Sequence, residues 1–280
     1  MNKALAIFEL MRLDKPIGIY LLLWPALLAL VISTNGDFEY ADLLIVIAGS
    51  ILVRSAGCVI NDIWDKDLDG GVERTKTRPI PSKKLSISES WAVFAILGVL
   101  SLMLLSLTNT NTIYVSICFG LMIVIYPLTK RFFIGPQIFL GLTFNPTIIV
   151  YAMTNELNNP TMIFLYFAIA AKTIAFDSFY GLCDIDDDKK LGINSTPLWW
   201  GSKTLLIIAI LQFTVIGLLL IVGLKAGLSF AWYIGIILLS CFYFYQHKLA
   251  SQKNFLLAFK NNHWASLYLL MLSGFCFLII

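Results

Sequence analysis

ADLLIVIAGSILVRSAGCVINDIWDKDLD, residues 41–69, contains the junction on which the fold turns. Residues 41–60 are apolar enough, and numerous enough, to cross a hydrocarbon core of about 30 Å as a helix. After Asp42 the run carries one charge, Arg54, and it opens directly onto Asn61, Asp62, Asp65 and Asp69. Carboxylates packed this closely at the mouth of a lipid-crossing segment repel one another unless they are protonated or a cation holds them.

Outward from that junction the rest of the chain has the same character. Of its 280 residues 59% are hydrophobic and only 13% are charged, a composition far from that of a soluble domain. Apolar runs recur at roughly 17–33, 41–60, 90–107, 112–128, 133–153, 160–181, 203–222, 228–245 and 264–280. Lipid offers no hydrogen bonds to a bare backbone, so runs of this length predict helices. A β-barrel would show alternating segments of about ten residues instead. The expectation is an all-α membrane protein of nine transmembrane helices, forming a single domain over residues 1–280.

Charge orients these spans. All but three of the 20 Lys and Arg fall at one set of span ends: in the N-terminal segment, loop 61–89, Lys130-Arg131, loop 182–203, and Lys248, Lys253 and Lys260. The exceptions are Arg54, Lys172 and Lys225. By the positive-inside rule the basic side is cytoplasmic, which places the N-terminus inside and the C-terminus outside. Arg54 and Lys172 lie within spans and are functional candidates for that reason.

Other chemistry is excluded. A net charge of +3, interleaved with spans, does not suit nucleic acid. The 5 cysteines, Cys58, Cys118, Cys183, Cys241 and Cys276, form no C-x-x-C pair and read as reduced packing residues. The 2 histidines, His247 and His263, lack zinc-ligand spacing. The first apolar run, with Trp24-Pro25 in it, leads into further spans and does not look like a cleaved signal peptide.

The acids are placed as unevenly as the bases. Asp62, Asp65, Asp67, Asp69 and Glu73 form one cluster, Asp177, Asp184, Asp186, Asp187 and Asp188 another, and none of the 17 follows Asp188. Both clusters end spans on the same side of the membrane. Continued as helix past residue 60, the second span would bring Arg54, Asn61 and Asp65 within about 40° of one another, with Asp69 and Asp62 beside them. The sixth span would align Asp177, Asp184 and Asp188 in the same way. All-oxygen ligand sets without His or Cys suit Mg²⁺, which binds through a few carboxylates together with substrate phosphates. Two such sets facing each other would hold a diphosphate, with Arg74, Arg78, Lys130 and Arg131 completing the anion clamp. Lys66, Asp67, Lys76, Lys83, Lys84, Asp186, Asp187, Lys189 and Lys190 read as solvated loop charges.

Asn61-Asp62-x-x-Asp65-x-x-x-Asp69, followed by Arg74-Thr75 and Arg78-Pro79, resembles the first signature of the UbiA superfamily of intramembrane prenyltransferases. Tyr180-Gly-Leu-Cys-Asp184-Ile-Asp-Asp-Asp188 through Gly192-Ile-Asn-Ser195 is similar to the second. Tyr126-Pro127-Leu-Thr-Lys130-Arg131 and Gln137-x-x-x-Gly141-x-x-Phe144 also match, so the resemblance covers nearly the whole chain. Arg12-Leu-Asp-Lys15-Pro16-Ile-Gly18, Leu23-Trp24-Pro25 and Arg54-Ser-Ala-Gly-Cys-Val-Ile-Asn61 are most similar to members that prenylate 4-hydroxybenzoate in ubiquinone biosynthesis.

The resemblance implies helices around a central cavity open to lipid, in a bacterial inner membrane, with the site at its cytoplasmic mouth. It implies Mg²⁺ on Asp62, Asp65, Asp69, Asp184 and Asp188, a polyprenyl diphosphate donor and an aromatic acid acceptor. Tyr126 falls within one of its motifs and is a substrate-binding candidate. Arg131, in preference to Arg54, would meet the aromatic carboxylate, Arg54 and Asn61 would order the first Asp motif, and Asp177 would support the second. Lys83 and Asn145-Pro146 depart from the pattern, the first in a loop and the second where selectivity is at stake. The same diphosphate machinery serves other acceptors, in menaquinone, haem and chlorophyll pathways. A CDP-alcohol phosphotransferase motif begins at Asp69-Gly70 but fails at Glu73, Lys83, Ile87 and Trp91. A secondary transporter would use Arg54, Lys172 and Asp177 as an ion path, yet most of the acids lie at one face and not at the midplane.

Overall fold

The computed structural model describes residues 3–71 and 74–279. Among these the regular structure is entirely helical: α1 (Lys3–Leu10), α2 (Ile17–Ser33), α3 (Tyr40–Trp64), α4 (Ile87–Leu105), α5 (Thr110–Thr129), α6 (Pro136–Thr143), α7 (Thr147–Met153), α8 (Thr161–Gly181), α9 (Ile185–Leu191), α10 (Thr196–Trp200), α11 (Thr204–Lys225), α12 (Phe230–Ser251) and α13 (Phe255–Leu278). Short 3₁₀ turns occupy Asp69–Gly71 and Gly201–Lys203. Helices α3, α4, α5 and α8 and the segment Thr196–Lys225 are each long and apolar enough to cross a membrane. Helix α2 is equally apolar but has 17 residues.

Helix α8 is the hub of the bundle. It packs along α11 and also touches α2, α6, α7 and α13, and it is the most buried of the long apolar helices. Helix α4 is the least buried, and its Ile96, Val99, Leu102 and Met103 are exposed. A helix that is apolar on every side yet exposed in part presents that part to lipid. The main core joins α2, α8, α11, α12 and α13 around Trp232, Leu165 and Leu219. Gly223 makes this packing possible, since a Cβ there would stand 2.3 Å from Cδ1 of Trp232.

Several polar groups inside the bundle are satisfied across helices. Lys172 of α8 donates to Ser266 Oγ (2.5 Å) and to the Asn262 carbonyl (3.3 Å) on α13, and its ammonium lies 5.6 Å from the centre of the Phe176 ring. Trp24 donates to Nδ1 of His263 (2.8 Å), while His247 shares a hydrogen bond with Gln212 (2.9 Å). Each histidine thus joins two helices by a hydrogen bond, and all five cysteines are free thiols.

Three sequence expectations need correction. The run 133–153 is not one helix, because it breaks between α6 and α7 at Phe144-Asn145-Pro146. Proline cannot supply the N–H that a continuous helix needs. The buried Asn145 makes good the loss, donating to the Tyr166 carbonyl (2.8 Å) and accepting from the Thr147 N–H (3.2 Å). The stripe Arg54–Asp69 is not one helix either: α3 ends at Trp64 and a turn carries the chain on to Asp69. Likewise Asp177 and Asp184 lie on different elements, since α8 stops at Gly181 and α9 starts at Ile185.

Candidate active site

The ends of α3 and α8 deliver the two acidic stretches to one place, and basic side chains hold them there. Asp62, on the last turn of α3, is 1% exposed and accepts three hydrogen bonds: two from Arg12 Nη2 (2.9 and 2.8 Å) and one from Arg78 Nη1 (3.0 Å). Arg78 Nη1 also donates to Asp69 (2.7 Å). Asp65 caps α3 with its backbone, and its Oδ2 receives Lys130 Nζ and Asn61 Nδ2, the latter at 3.1 Å. Asp184 is gripped by Arg74 through Nε (3.0 Å) and Nη2 (2.5 Å), and the Arg74 guanidinium lies 4.6 Å from the centre of the Tyr180 ring.

Local sequence explains why the loops can do this. From Asp65 the backbone turns at once, with the Asp69 N–H donating to the Asp65 carbonyl (2.8 Å), so a four-residue spacing is kept without a helix. Gly192 ends α9 in the left-handed region at φ +66°, a conformation glycine adopts without strain. The chain then returns over the site: the Asn194 N–H donates to the Lys130 carbonyl (3.0 Å), and the Thr196 N–H to Gln137 (2.8 Å). Lys130 therefore ties the first acidic stretch through its side chain to the second through its backbone.

The charges respond to this enclosure. Burial works against the Arg74 charge, but the hydrogen bonds from Arg74 to Asp184 and the surrounding negative charge hold its affinity for a proton above that of an ordinary arginine. Arg78 behaves alike, with Asp62 and Asp69 outweighing burial. Burial pushes Asp65 up in spite of Lys130. Burial and then the like charge of Asp184 push Asp188 up to about 6. Carboxylates raised in this way gain from any further cation. The Cys183 thiol is pushed up by burial and by Asp184, opposite to the depressed value of a nucleophilic thiolate.

Deeper in the membrane, Arg54 faces Phe144, with its guanidinium carbon 5.2 Å from the ring centre. Its Nε is buried without a hydrogen-bond partner, and Gly18 leaves it room, since a Cβ at residue 18 would stand 2.4 Å from Nε. Asp177 feels the charge of Arg54 and then that of Asp184, while Tyr126, stacked on Phe139, lies within electrostatic reach of Asp177, Asp65 and Arg54. Arg131 stands apart: it is exposed and donates to the Trp64 carbonyl (2.6 Å), capping α3. Asn61 orders Asp65 on its own, without a hydrogen bond to Arg54 among the described residues.

Asp62, Asp65, Asp69 and Asp184 with Asn61, Arg74, Arg78 and Lys130 thus form one cluster at the helix ends, within electrostatic reach of Arg54, Tyr126 and Asp177, while Arg131 stands apart. Arg12, Tyr180 and Phe144 also touch these residues and were not predicted as site residues. Arg12 reads in sequence as a cytoplasmic cation that opens one of the resembling motifs, and its reach across 50 residues to Asp62 gives it a partner in the site. Lys84 is likewise no free loop charge, as it pairs with Glu9 at 2.8 Å. Glu73, in the first acidic cluster, lies outside the described residues.

Could these residues hold a divalent cation? The donor set is all oxygen, and Asp65 Oδ1 is buried with no hydrogen-bond partner. The donor chemistry fits Mg²⁺, although among the described residues no three of these acids converge on one point, Asp62, Asp65, Asp69 and Asp184 each being turned toward a basic partner.

An apolar helical bundle that brings two acidic stretches together with basic side chains at its helix ends defines the class, a membrane enzyme. Comparison with known proteins identifies the family: the UbiA prenyltransferase family matches residues 22–277, and the chain belongs to it. It is 40% identical over 265 residues to 4-hydroxybenzoate octaprenyltransferase of Pseudomonas aeruginosa, covering 92% of this chain and 89% of that protein. It is also 40% identical over 277 residues to the enzyme of the same name from Vibrio campbellii, covering 96% of each. Among solved structures, a UbiA homologue from Aeropyrum pernix superposes with a TM-score of 0.80 at 23% identity, over 90% of this chain and 94% of that one. One from Archaeoglobus fulgidus, bound to GPP and Mg²⁺, superposes with a TM-score of 0.75 at 17% identity, over 98% and 100%. At these identities the two structures speak for the fold.

Proposed function

We propose that this chain transfers a long prenyl group from a polyprenyl diphosphate to the ring carbon ortho to the hydroxyl of 4-hydroxybenzoate, releasing diphosphate, as a step of ubiquinone biosynthesis. The observation that carries the reading is the meeting of two acidic stretches, remote in sequence, at the mouth of an apolar bundle whose next cation inward, Arg54, keeps a buried donor unpartnered. The relatives at 40% identity, covered almost end to end, support the choice of acceptor.

Asp65, Asp69, Asp184 and Asp188 are the residues to hold Mg²⁺; a bound Mg²⁺ would neutralise the diphosphate and make it a better leaving group. Arg74 and Lys130, each paired with one of these acids, would turn to the diphosphate oxygens, with Arg offering a two-pronged grip, while Arg78 stays between Asp62 and Asp69. When the bond from the allylic C1 to oxygen breaks, its electron pair leaves with the diphosphate. The ring carbon then bonds to C1, and loss of its proton restores aromaticity. Arg54 receives the aromatic carboxylate and Phe144 flanks the ring. Arg131, already tied to the end of α3, is the poorer choice for this. The apolar walls keep water from the cationic intermediate.

The basic loops set the orientation: nine spans, the N-terminus and the active site on the cytoplasmic side of a bacterial inner membrane, and the prenyl tail leaving the cavity into lipid. The test is to incubate purified protein in lipid with labelled 4-hydroxybenzoate and a long-chain prenyl diphosphate. A labelled lipid should form with Mg²⁺ and fail to form with excess EDTA. Absence of a labelled lipid, with a control prenyltransferase active in the same lipid, overturns the acceptor.

A further inference from the structure

The turn between α1 and α2 holds Arg12 at φ +57°, in the left-handed region that a residue with a side chain enters at a cost. Such a conformation persists only where the surroundings fix it. Here Arg12 Nη1 donates to the Glu9 carbonyl (2.8 Å) and closes the end of α1, while Nη2 spans both oxygens of Asp62. Helix α1 is itself held down by Glu9–Lys84 (2.8 Å) and by Ala6 and Leu10, which pack in a cluster with Val59 and Ile63 of α3. Asp62 and Asp65 then differ in kind. Asp62 has its oxygens filled by two guanidinium groups, whereas Asp65 keeps Oδ1 buried and bare.

We propose that Arg12 is a positioning residue: through Asp62 it fixes Arg78, which turns Asp69 into the funnel, so that α1 straps the first acidic stretch into working geometry and Asp62 serves as the anchor of the strap, not as a metal ligand. The inference rests on the functional reading above for the identity of the metal-holding acids. The strap itself stands on the ion pairs alone. Arg78 is the pivot, because one nitrogen, Nη1, meets both Asp62 and Asp69. Without Arg12, Asp62 would draw Arg78 wholly to itself and release Asp69.

The experiment uses the full chain in lipid nanodiscs, with Mn²⁺ as a paramagnetic probe for the metal, and compares Arg12→Ala, Arg12→Lys, Asp62→Asn and Asp65→Asn. Mn²⁺ titration followed by electron paramagnetic resonance should show Asp62→Asn keeping its bound ions and Asp65→Asn losing at least one. Turnover per Mn²⁺-loaded site should fall about tenfold in Arg12→Ala, the equivalent of one charged hydrogen bond, with KM for the aromatic acid unchanged. Lysine keeps the charge but lacks the second nitrogen with which Arg12 holds the Glu9 carbonyl while Nη2 holds Asp62, so Arg12→Lys should recover only part of the rate. Amide exchange over residues 66–86, measured without metal, should quicken in Arg12→Ala and Asp62→Asn alike. Loss of an ion in Asp62→Asn equal to that in Asp65→Asn would make Asp62 a ligand and overturn the proposal. So would unchanged exchange together with wild-type turnover in Arg12→Ala. Failure of the functional reading is seen separately, in a wild-type protein that binds Mn²⁺ but transfers no prenyl group.

Discussion

Asp65 Oδ1 is buried without a partner beside an Oδ2 that receives both Lys130 and Asn61. A half-satisfied buried carboxylate is costly, and a cation in the funnel is what would relieve it. Asp65→Asn and Asp184→Asn should each lower prenyl transfer by at least about a hundredfold, the scale seen when an electrostatic contact to developing charge is removed. Both proteins should remain folded in the membrane, as judged by monodisperse elution in detergent. Near-normal turnover in either would sink the two-site arrangement. Arg54 makes a different demand. Arg54→Gln should raise KM for the aromatic acid by about 10- to 100-fold, the loss of a charged hydrogen bond of about 1.5–3 kcal/mol, and leave KM for the prenyl diphosphate nearly unchanged. Equal effects on both constants would remove Arg54 from the acceptor site. Sequence marked every one of these residues by chemical type and placement, but not the partner each would take. Arg131 and Arg54 look interchangeable as lone cations near a motif, until one is found capping a helix and the other left with a bare donor.

At the scale of elements, function depends on where helices stop. Helix α3 must end at Trp64 and α8 at Gly181 for their acids to turn toward each other across the mouth. A helical continuation keeps a four-residue spacing on one face, and a tight turn keeps it too, which is why spacing alone could not tell them apart. The break between α6 and α7 works similarly, since it sets Phe144 against Arg54. Gly18 of α2 completes that arrangement. Gly18→Ala should push the guanidinium aside, and acceptor affinity should fall in steady-state kinetics while the fold holds. Gly223 serves packing instead. Gly223→Ala should displace the fully buried Trp232, whose Nε1 donates to the Leu219 carbonyl (2.9 Å), and cost about 1–3 kcal/mol of stability, read as a lower thermal midpoint in detergent.

For the whole molecule, the bundle separates its two solvents. Apolar residues of α4, α5 and α12 face outward, while α8 at the centre carries Asp177 and Lys172 inward or against α13. Lys172 is surrounded without an acid in direct contact, by a hydroxyl, a carbonyl and an aromatic face. The asymmetry of the basic loops predicts that alkaline phosphatase fused to the C-terminus will be active, because the proposed orientation puts that end outside the cytoplasm, and that the same reporter inserted in loop 182–203 will be inactive. The opposite pattern would reverse the orientation and place the acidic funnel on the wrong side for a cytoplasmic diphosphate.

What the sequence by itself determined was the class of protein: helices, a membrane, a polarity of charge and two acidic stretches on one side. Those follow from hydropathy and charge, which are summed along the chain and need no knowledge of neighbours. Pairing was decided only by the tertiary structure. Whether a given acid is filled or bare, whether Arg12 is a surface charge or a partner of Asp62, and which of Arg54 and Arg131 keeps an unpartnered donor depend on contacts, several of them between residues 50 or more apart. A hydrogen bond acts over about 3 Å and is indifferent to distance along the chain, so no spacing rule read from one segment could have assigned it.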